Sequence, residues 1–199
     1  RVTIVEHGAS VLADRRAAVR RAASVASDRL GVAIETSAAV ASIGRDAVTL
    51  QDARVLPADV CIWAAGSRAL PWLLGSGLTC DAHGYVQVDA ELRALHHDGI
   101  YAAGDTAAPI LAPSTPKAGV YAVRAGPILA ANLLATIRGA APAAQWMPQR
   151  DFLALLNTGD DRAILSWRRI VLKGRWVMRL KDRIDQGFLQ RFRSIGAAP

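Results

Sequence analysis

The stretch Gly99–Arg124, GIYAAGDTAAPILAPSTPKAGVYAVR, constrains the fold more than any other part of the chain. A short apolar run, Ile100-Tyr101-Ala102, reads as a strand that passes straight into Ala103-Gly104-Asp105. A Pro-rich loop follows, and a helix is expected to start near Pro116. Asp105 is thus predicted where a strand hands over to a helical segment, the usual place for an anionic ligand in an open α/β sheet. Gly104 removes a side chain where a ligand would need to approach the backbone. The Asp105 carboxylate can accept hydrogen bonds from a polyhydroxyl chain, and free N–H groups at the next helix start favour a phosphate. The same residues also suit an ordinary strand–turn–helix corner with Asp105 as cap.

The AGD motif, with its following loop and small-residue helix, resembles the flavin-binding signature of the pyridine nucleotide-disulfide oxidoreductases. In that family the aspartate contacts the ribitol of FAD near its pyrophosphate, and the resemblance implies this role for Asp105. The flanks extend the likeness. VTIVEHGASVL and VTLQDARVLPADVCIWAAGS resemble the second half of the family's NAD-binding domain, whose last strand ends in a small-residue turn beside the FAD; Ala65 and Gly66 match that turn. GYVQVD through GIYAAGD resembles the return into the FAD domain, and YAVRAGPILAANLLATIRG the helix after the aspartate. The implied fold is α/β, a partial two-dinucleotide-binding-domain (FAD/NAD(P)) Rossmann-like fold followed by a C-terminal α+β interface domain. The expected boundaries are 1–68 for the NAD(P)H-binding half, 69–143 for the FAD-binding part and 144–199 for the interface domain.

Val2–Glu6 is apolar and β-branched, as expected of a strand buried on both faces of a parallel sheet. An acidic residue at the end of the second strand of a dinucleotide fold bonds the adenine ribose hydroxyls. Glu6 would then select NADH over NADPH; a solvated acid at a strand end is the plainer alternative. The glycine-rich loop that should lie about 20 residues upstream is not in this sequence, which reads as a fragment. Asp14–Leu30 reads as a helix capped by Asp14 and stopped by Gly31. Short strands are expected at Val32–Glu35, Ala39–Ile43, Ala47–Leu50 and Arg54–Leu56, the last three forming a meander with its tip at Gly44-Arg45-Asp46. Asp59–Ala64 is expected to return to the parallel sheet and to bury Cys61 as an inert thiol.

Leu70–Leu74 reads as a short helix led by Pro71, and Gly84–Asp89 as a strand. His96 and His97 fall on a surface turn, and no further ligand has metal-binding spacing around them. Pro116-Lys117-Ala118-Gly119 resembles the Pro-Lys-Thr-Gly of the sulfide:quinone oxidoreductase branch, where this helix start lies by the flavin's pyrimidine edge. The resemblance implies that Lys117, Ala118 and Gly119 meet the cofactor and that Lys117 stabilises charge on the reduced flavin. A solvated lysine at a helix start is the alternative. No cysteine follows Cys80, which argues against a sulfide oxidoreductase, and neither cysteine belongs to a CxxC pair. Gly126-Pro127 interrupts the following helix and is expected to begin a second one.

After a linker at Ala140–Ala144 the character changes. Strands are expected at Phe152–Leu156, Arg162–Trp167 and Ile170–Leu172, the first two joined by the turn Thr158–Asp161. Arg175–Arg193 then places Val177, Leu180, Ile184, Phe188 and Phe192 on one helical face among Arg179, Lys181, Arg183 and Arg191. This segment resembles the interface domain of type II NADH dehydrogenase-like flavoproteins, closest to a bacterial module joined to selenophosphate synthetase. The basic helix has three readings: peripheral contact with anionic membrane through 175–193, packing on its own sheet, or packing on a second copy in a homodimer. Net charge is +7, yet no zinc-finger spacing, RNA-recognition motif or unbroken basic run marks a nucleic-acid partner. No run of about 18 residues is free of charge, so no spanning helix is expected. Two cysteines suit a reducing compartment, and the expected location is cytoplasmic, extending to the inner face of the membrane. The function implied is hydride transfer from NADH to FAD and onward to a small-molecule or quinone acceptor. The alternatives are a cofactor-free interaction module and a peripheral NADH:quinone reductase.

Overall fold

A computed structural model describes residues 1–193, with side chains described through Gln190; the expected roles of Arg191 and Phe192 lie outside the described side chains. The chain divides into two compact units. Arg1–Trp63 and the chain from Asp151 onward form one, and Ala64–Arg150 the other.

β1 (Val2–Val5) and β2 (Val32–Glu35) pair in parallel from Val2 opposite Val32 to Val5 opposite Glu35, with α1 (Ala17–Arg29) between them in sequence. α1 buries Val19 and Ala26, seven residues apart and therefore on one face. Asp14 does not cap it: Arg16 holds the cap position without a side-chain bond, and Asp14 instead pairs with Arg15 at 3.2 Å. Gly31, at φ +67°, does end it, a left-handed turn that glycine takes without steric cost. Burial of β1 on both faces is not found. Val2 and Ile4 are 61 % and 42 % exposed, because β2 is the only strand laddered to β1 among the described residues. β3 (Val40–Ile43), β4 (Ala47–Leu50) and β5 (Val55–Pro57) form the expected antiparallel meander, its tip closed by the Gly44 N–H bonding Ala47 O at 2.8 Å. Its buried residues Ala38, Val48 and Leu50 pack with Val5, Val40, Leu56 and Ala58. Burying Leu50 alone stabilises by about 2 kcal/mol.

The expected strand at Asp59–Ala64 does not form. Val60, Ile62 and Trp63 are exposed and Cys61 is exposed rather than buried. Apolar β-branched composition favours a strand only when a neighbouring ladder can bond its backbone, and none meets this run among the described residues.

In the second unit, Pro71–Leu73 forms the short 3-10 helix, and β6 (Val86–Val88) pairs in parallel with β7 (Ala107–Pro109). The strand expected at Ile100–Ala102 shrinks to one bridge between Tyr101 and Arg93; the ladder strand comes after the AGD motif, not before it. α2 (Gly119–Ile137) is one helix rather than two, with Pro127 inside it. Proline there removes the bond to the Val123 carbonyl, and both residues face outward, where water can replace it. With Arg124 its only charge, α2 is long and apolar enough to cross a membrane by length and composition, which the sequence reading did not expect. Tyr121, Ala125 and Asn132 are nevertheless buried. Asn132, 1 % exposed, donates to Glu91 O (2.8 Å) and Ala144 O (2.7 Å) and accepts from the Ala144 N–H (2.9 Å).

The C-terminal segment rejoins the first unit. β8 (Ala154–Asn157), β9 (Ala163–Trp167) and β10 (Ile170–Gly174) form an antiparallel sheet with β9 central, and α3 (Arg175–Arg193) packs on it through Val177, Met178 and Leu180. α1 lies against β9 and β10. In the Thr158–Asp161 turn, Asp160 accepts from the Thr158 hydroxyl (2.5 Å) and pairs with Arg29. That hydroxyl first, then Arg29 and Arg162, holds the carboxyl below the ordinary aspartate range. A depressed carboxyl contributes stability above its unfolded pKa and loses it as pH falls through the folded one, so this clasp weakens only in acid. Further along α3, Ile184 and Leu189 are exposed.

Asn132→Leu keeps the volume but removes all three bonds and strands the Ala144 N–H. Urea unfolding should show a loss of roughly 2–4 kcal/mol; a loss within error of zero would show these bonds to be incidental.

Candidate functional site

The residues that the sequence singles out for cofactor binding fall in both units. Glu6 belongs to the first. It follows β1 directly, its N–H bonding Glu35 O at 2.8 Å, so it stands at the carboxyl end of the β1/β2 pair. Its Oε1 accepts from the Gly8 N–H (2.8 Å) and lies 2.9 Å from His7 Nδ1. The loop is pinned by Ala38 N–H to Glu6 O and Ser37 N–H to Gly8 O. Glu6 is therefore not a free surface acid: Oε1 is engaged, and Oε2 meets no partner among the described residues.

The other candidates lie in the second unit. Gly104–Thr106 make a 3-10 turn between the Tyr101 bridge and β7. Asp105 thus precedes a parallel strand, at the amino end of the β6/β7 pair. The sequence reading expected the opposite order, strand first. That order failed because Ile100 and Ala102 find only the backbone of Leu92–Ala94 to bond. Asp105 is exposed and forms no ion pair among the described residues. Gly104 has φ +65°, and a Cβ built on it would lie 3.3 Å from Ala122 Cβ in the first turn of α2. The motif therefore packs tightly against the helix start. Ala118 is the cap position of α2 and offers no side-chain bond; the Tyr121 N–H bonds Ala118 O at 2.9 Å, while the Gly119 and Val120 N–H groups find no acceptor among the described residues.

Lys117, half-buried, precedes that cap. Its Nζ donates to Ala107 O and stands 4.1 Å from the centroid of the Tyr85 ring. Burial lowers its pKa below the usual lysine value, while the charges of Asp81 and Asp105 act in the opposite sense. Tyr85 in turn donates its hydroxyl to Ser67 O at 3.0 Å. Ala65 and Gly66 sit just before Ser67 in an exposed segment without regular structure, not at the end of a strand as expected. The Tyr85 hydroxyl nonetheless anchors that segment to the Lys117 neighbourhood. Tyr85 and Asp81 were missed by sequence reasoning. An aromatic residue just ahead of a buried strand and an Asp four positions earlier carry no motif that announces a lysine platform.

Chemically the arrangement presents a carboxylate with no ion pair among the described residues, two free N–H groups at a helix start and a fixed cation close to one glycine turn. It can hold a ligand with hydroxyl donors at one end and negative charge at the other. FAD has both, and the residues present fit its ribityl and ring portions; the glycine-rich loops that would hold the pyrophosphates are not in this sequence.

The family model described as pyridine nucleotide-disulphide oxidoreductase matches residues 1–126. Demethylphylloquinone reductase NdbB of Synechocystis sp. is 28% identical over 183 residues, covering 87% of this chain and 44% of that protein. The NADH dehydrogenase-like protein Rv1812c of Mycobacterium tuberculosis is 32% identical over 108 residues, covering 54% of this chain and 27% of that protein. The chain therefore spans less than half the length of these relatives. Among solved structures, the sulfide:quinone oxidoreductase of Aquifex aeolicus superposes with a TM-score of 0.71 at 15% identity, covering 97% of this chain and 50% of that one. A NAD-dependent persulfide reductase of A. fulgidus gives 0.65 at 22% identity, with 83% and 31% covered. These likenesses show the Rossmann-like α/β fold.

Gly104→Ala forces an L-residue into the left-handed region against Ala122. It should lower unfolding stability by about 1–2 kcal/mol or more, read by chemical denaturation, whereas the same change at the exposed Gly66 should leave it unmoved.

Proposed function

Because the chain belongs to the pyridine nucleotide-disulphide oxidoreductase family, we propose that it forms part of an FAD-dependent NADH oxidoreductase that delivers electrons to a quinone. The observation that carries this reading is Asp105: an exposed carboxylate with no ion-pair partner, on a glycine turn packed against the start of α2 and within electrostatic range of Lys117. FAD, when bound, would supply two-electron chemistry between a reduced nicotinamide and the acceptor.

Within that reading, Asp105 accepts hydrogen bonds from the ribityl hydroxyls and fixes the register of the bound group. Gly104 lets it come close to the backbone, and Ala118 and Gly119 present the first N–H groups of α2 to its anionic edge. Lys117 places positive charge beside the ring. Ala65 and Gly66 line the same side by way of the Tyr85–Ser67 bond. Glu6, at the end of β1, accepts from the adenine ribose of NADH and repels a 2′-phosphate. A quinone as acceptor is supported by the Synechocystis relative, whose name states reduction of demethylphylloquinone.

A second reading concerns location, at the inner face of the membrane. α3 exposes Ile184 and Leu189 as well as Arg179 and Arg183, a mix of apolar and basic side chains suited to an anionic bilayer. Lys181 adds less charge than its count suggests, since it pairs with Asp185.

Two measurements test these readings. In FAD titrations followed by flavin fluorescence, Asp105→Ala should weaken binding roughly 10- to 100-fold, the worth of hydrogen bonds to a charged group, with urea stability unchanged. Superimposable titrations of wild type and variant would sink the role of Asp105. Separately, the chain should pellet with phosphatidylglycerol vesicles at low salt and less so at high salt, and Arg179→Gln with Arg183→Gln should weaken this several-fold. No pelleting at any salt ends the membrane reading alone.

A further inference from the structure

Lys117 is held without a bonded carboxylate among the described residues. Asp81 and Asp105 act on it electrostatically, yet it forms no ion pair with either. Its Nζ is held by the Ala107 carbonyl and by the face of Tyr85, 4.1 Å away.

The ring that does this is itself fixed at several points. The Tyr85 hydroxyl donates to Ser67 O at 3.0 Å, and its backbone N–H donates to Asp81 Oδ1 at 2.9 Å. The same Asp81 oxygen accepts from the His83 N–H at 2.9 Å, closing the turn that precedes β6. Asp81 is thus occupied with the backbone of its own turn. Val86, next in sequence, is 1 % exposed and laddered to Ala107, the residue whose carbonyl takes the other contact from Lys117. Ring and carbonyl are therefore set by one strand pair, and the ammonium between them has a defined place.

The difference between the two kinds of support matters. A carboxylate partner would hold the ammonium and cancel its charge. An aromatic face and a carbonyl hold it through a quadrupole and a dipole, so its donors are occupied without a carboxylate bonded to it. We propose that Tyr85 is a positioning residue, which seats the Lys117 ammonium at the start of α2 without a bonded carboxylate, so that its charge serves the negatively charged edge of the bound flavin. The function of that seat rests on the flavin reading above; the seat itself can be tested without flavin.

Lys117, Lys173 and Lys181 are the chain's lysines, so two internal controls are built in. In the flavin-free chain, acylation by a water-soluble N-hydroxysuccinimide ester, resolved by peptide mapping, should be slower at Lys117 than at Lys173. Tyr85→Leu should raise the Lys117 rate, relative to Lys173, by roughly two- to fivefold, as expected for loss of one cation–π contact. Tyr85→Phe, which keeps the ring, should stay within about 1.5-fold of wild type. An unchanged ratio in Tyr85→Leu, or an equal rise in Tyr85→Phe, overturns the proposal. Should Tyr85→Leu fail to fold, the wild type decides: the ε-methylene protons of Lys117 should resonate upfield of those of the other two lysines through the ring current, and coincident shifts overturn it. Since no flavin is present, a protected Lys117 together with failed FAD titrations would refute the flavin reading while leaving the seat intact.

Discussion

Three residues of parallel ladder, Val86–Val88 against Ala107–Pro109, carry the part of the candidate site that lies in the second unit. Both strands are short, but Val86, Val88 and Ala107 are almost wholly buried, so register cannot slip without turning an apolar residue outward. That register decides what stands before each strand. Ahead of β6 comes Tyr85, ahead of β7 the Gly104–Thr106 turn with Asp105. Aromatic platform, carboxylate and cation meet because two strands start at the same level.

The helix that follows is tied in from its far end. Asn132 spends its amide on Glu91 and Ala144, so the segment after α2 folds back toward the loop that follows β6. Together with the close approach of Gly104 to Ala122, this fixes the angle at which α2 presents its first turn. A phosphate or ring edge recognised by backbone N–H groups needs such rigidity, because these donors cannot adjust as side chains can.

Much of this was legible in the sequence, and the failures share one cause. The meander, the C-terminal hairpins and α3 depend on local pattern: alternating strands, turn residues at Gly44 and Thr158–Asp161, and a helical apolar stripe. Each was found close to its expected bounds. Asp59–Ala64, Ile100–Ala102 and the burial of Val2 and Ile4 depend instead on a neighbouring strand, which composition cannot supply. Cys61 was misplaced with its strand. At the site, the AGD turn and Lys117 could be read from motif likeness, whereas Tyr85 could not, because its role exists only through a pairing between residues some twenty positions apart. Asn132 shows the same blindness: a helix-interior asparagine looks costly until its three backbone partners are in view.

The clasp between Arg29 and Asp160 joins positions separated by 131 residues of chain, and the packing of α1 on β9 and β10 spans a similar interval. Between them lies the whole of Ala64–Arg150, a compact unit of its own. The first unit is therefore discontinuous, its two parts synthesised before and after the other unit. α1 meets β2 locally, but its packing on β9 and β10 must wait until the intervening unit has been made, with loop closure over that distance slowing its completion. The intervening unit meets no such delay, so it is the part able to mature first, and a cut placed between the two would free it more readily than it would free its interrupted neighbour.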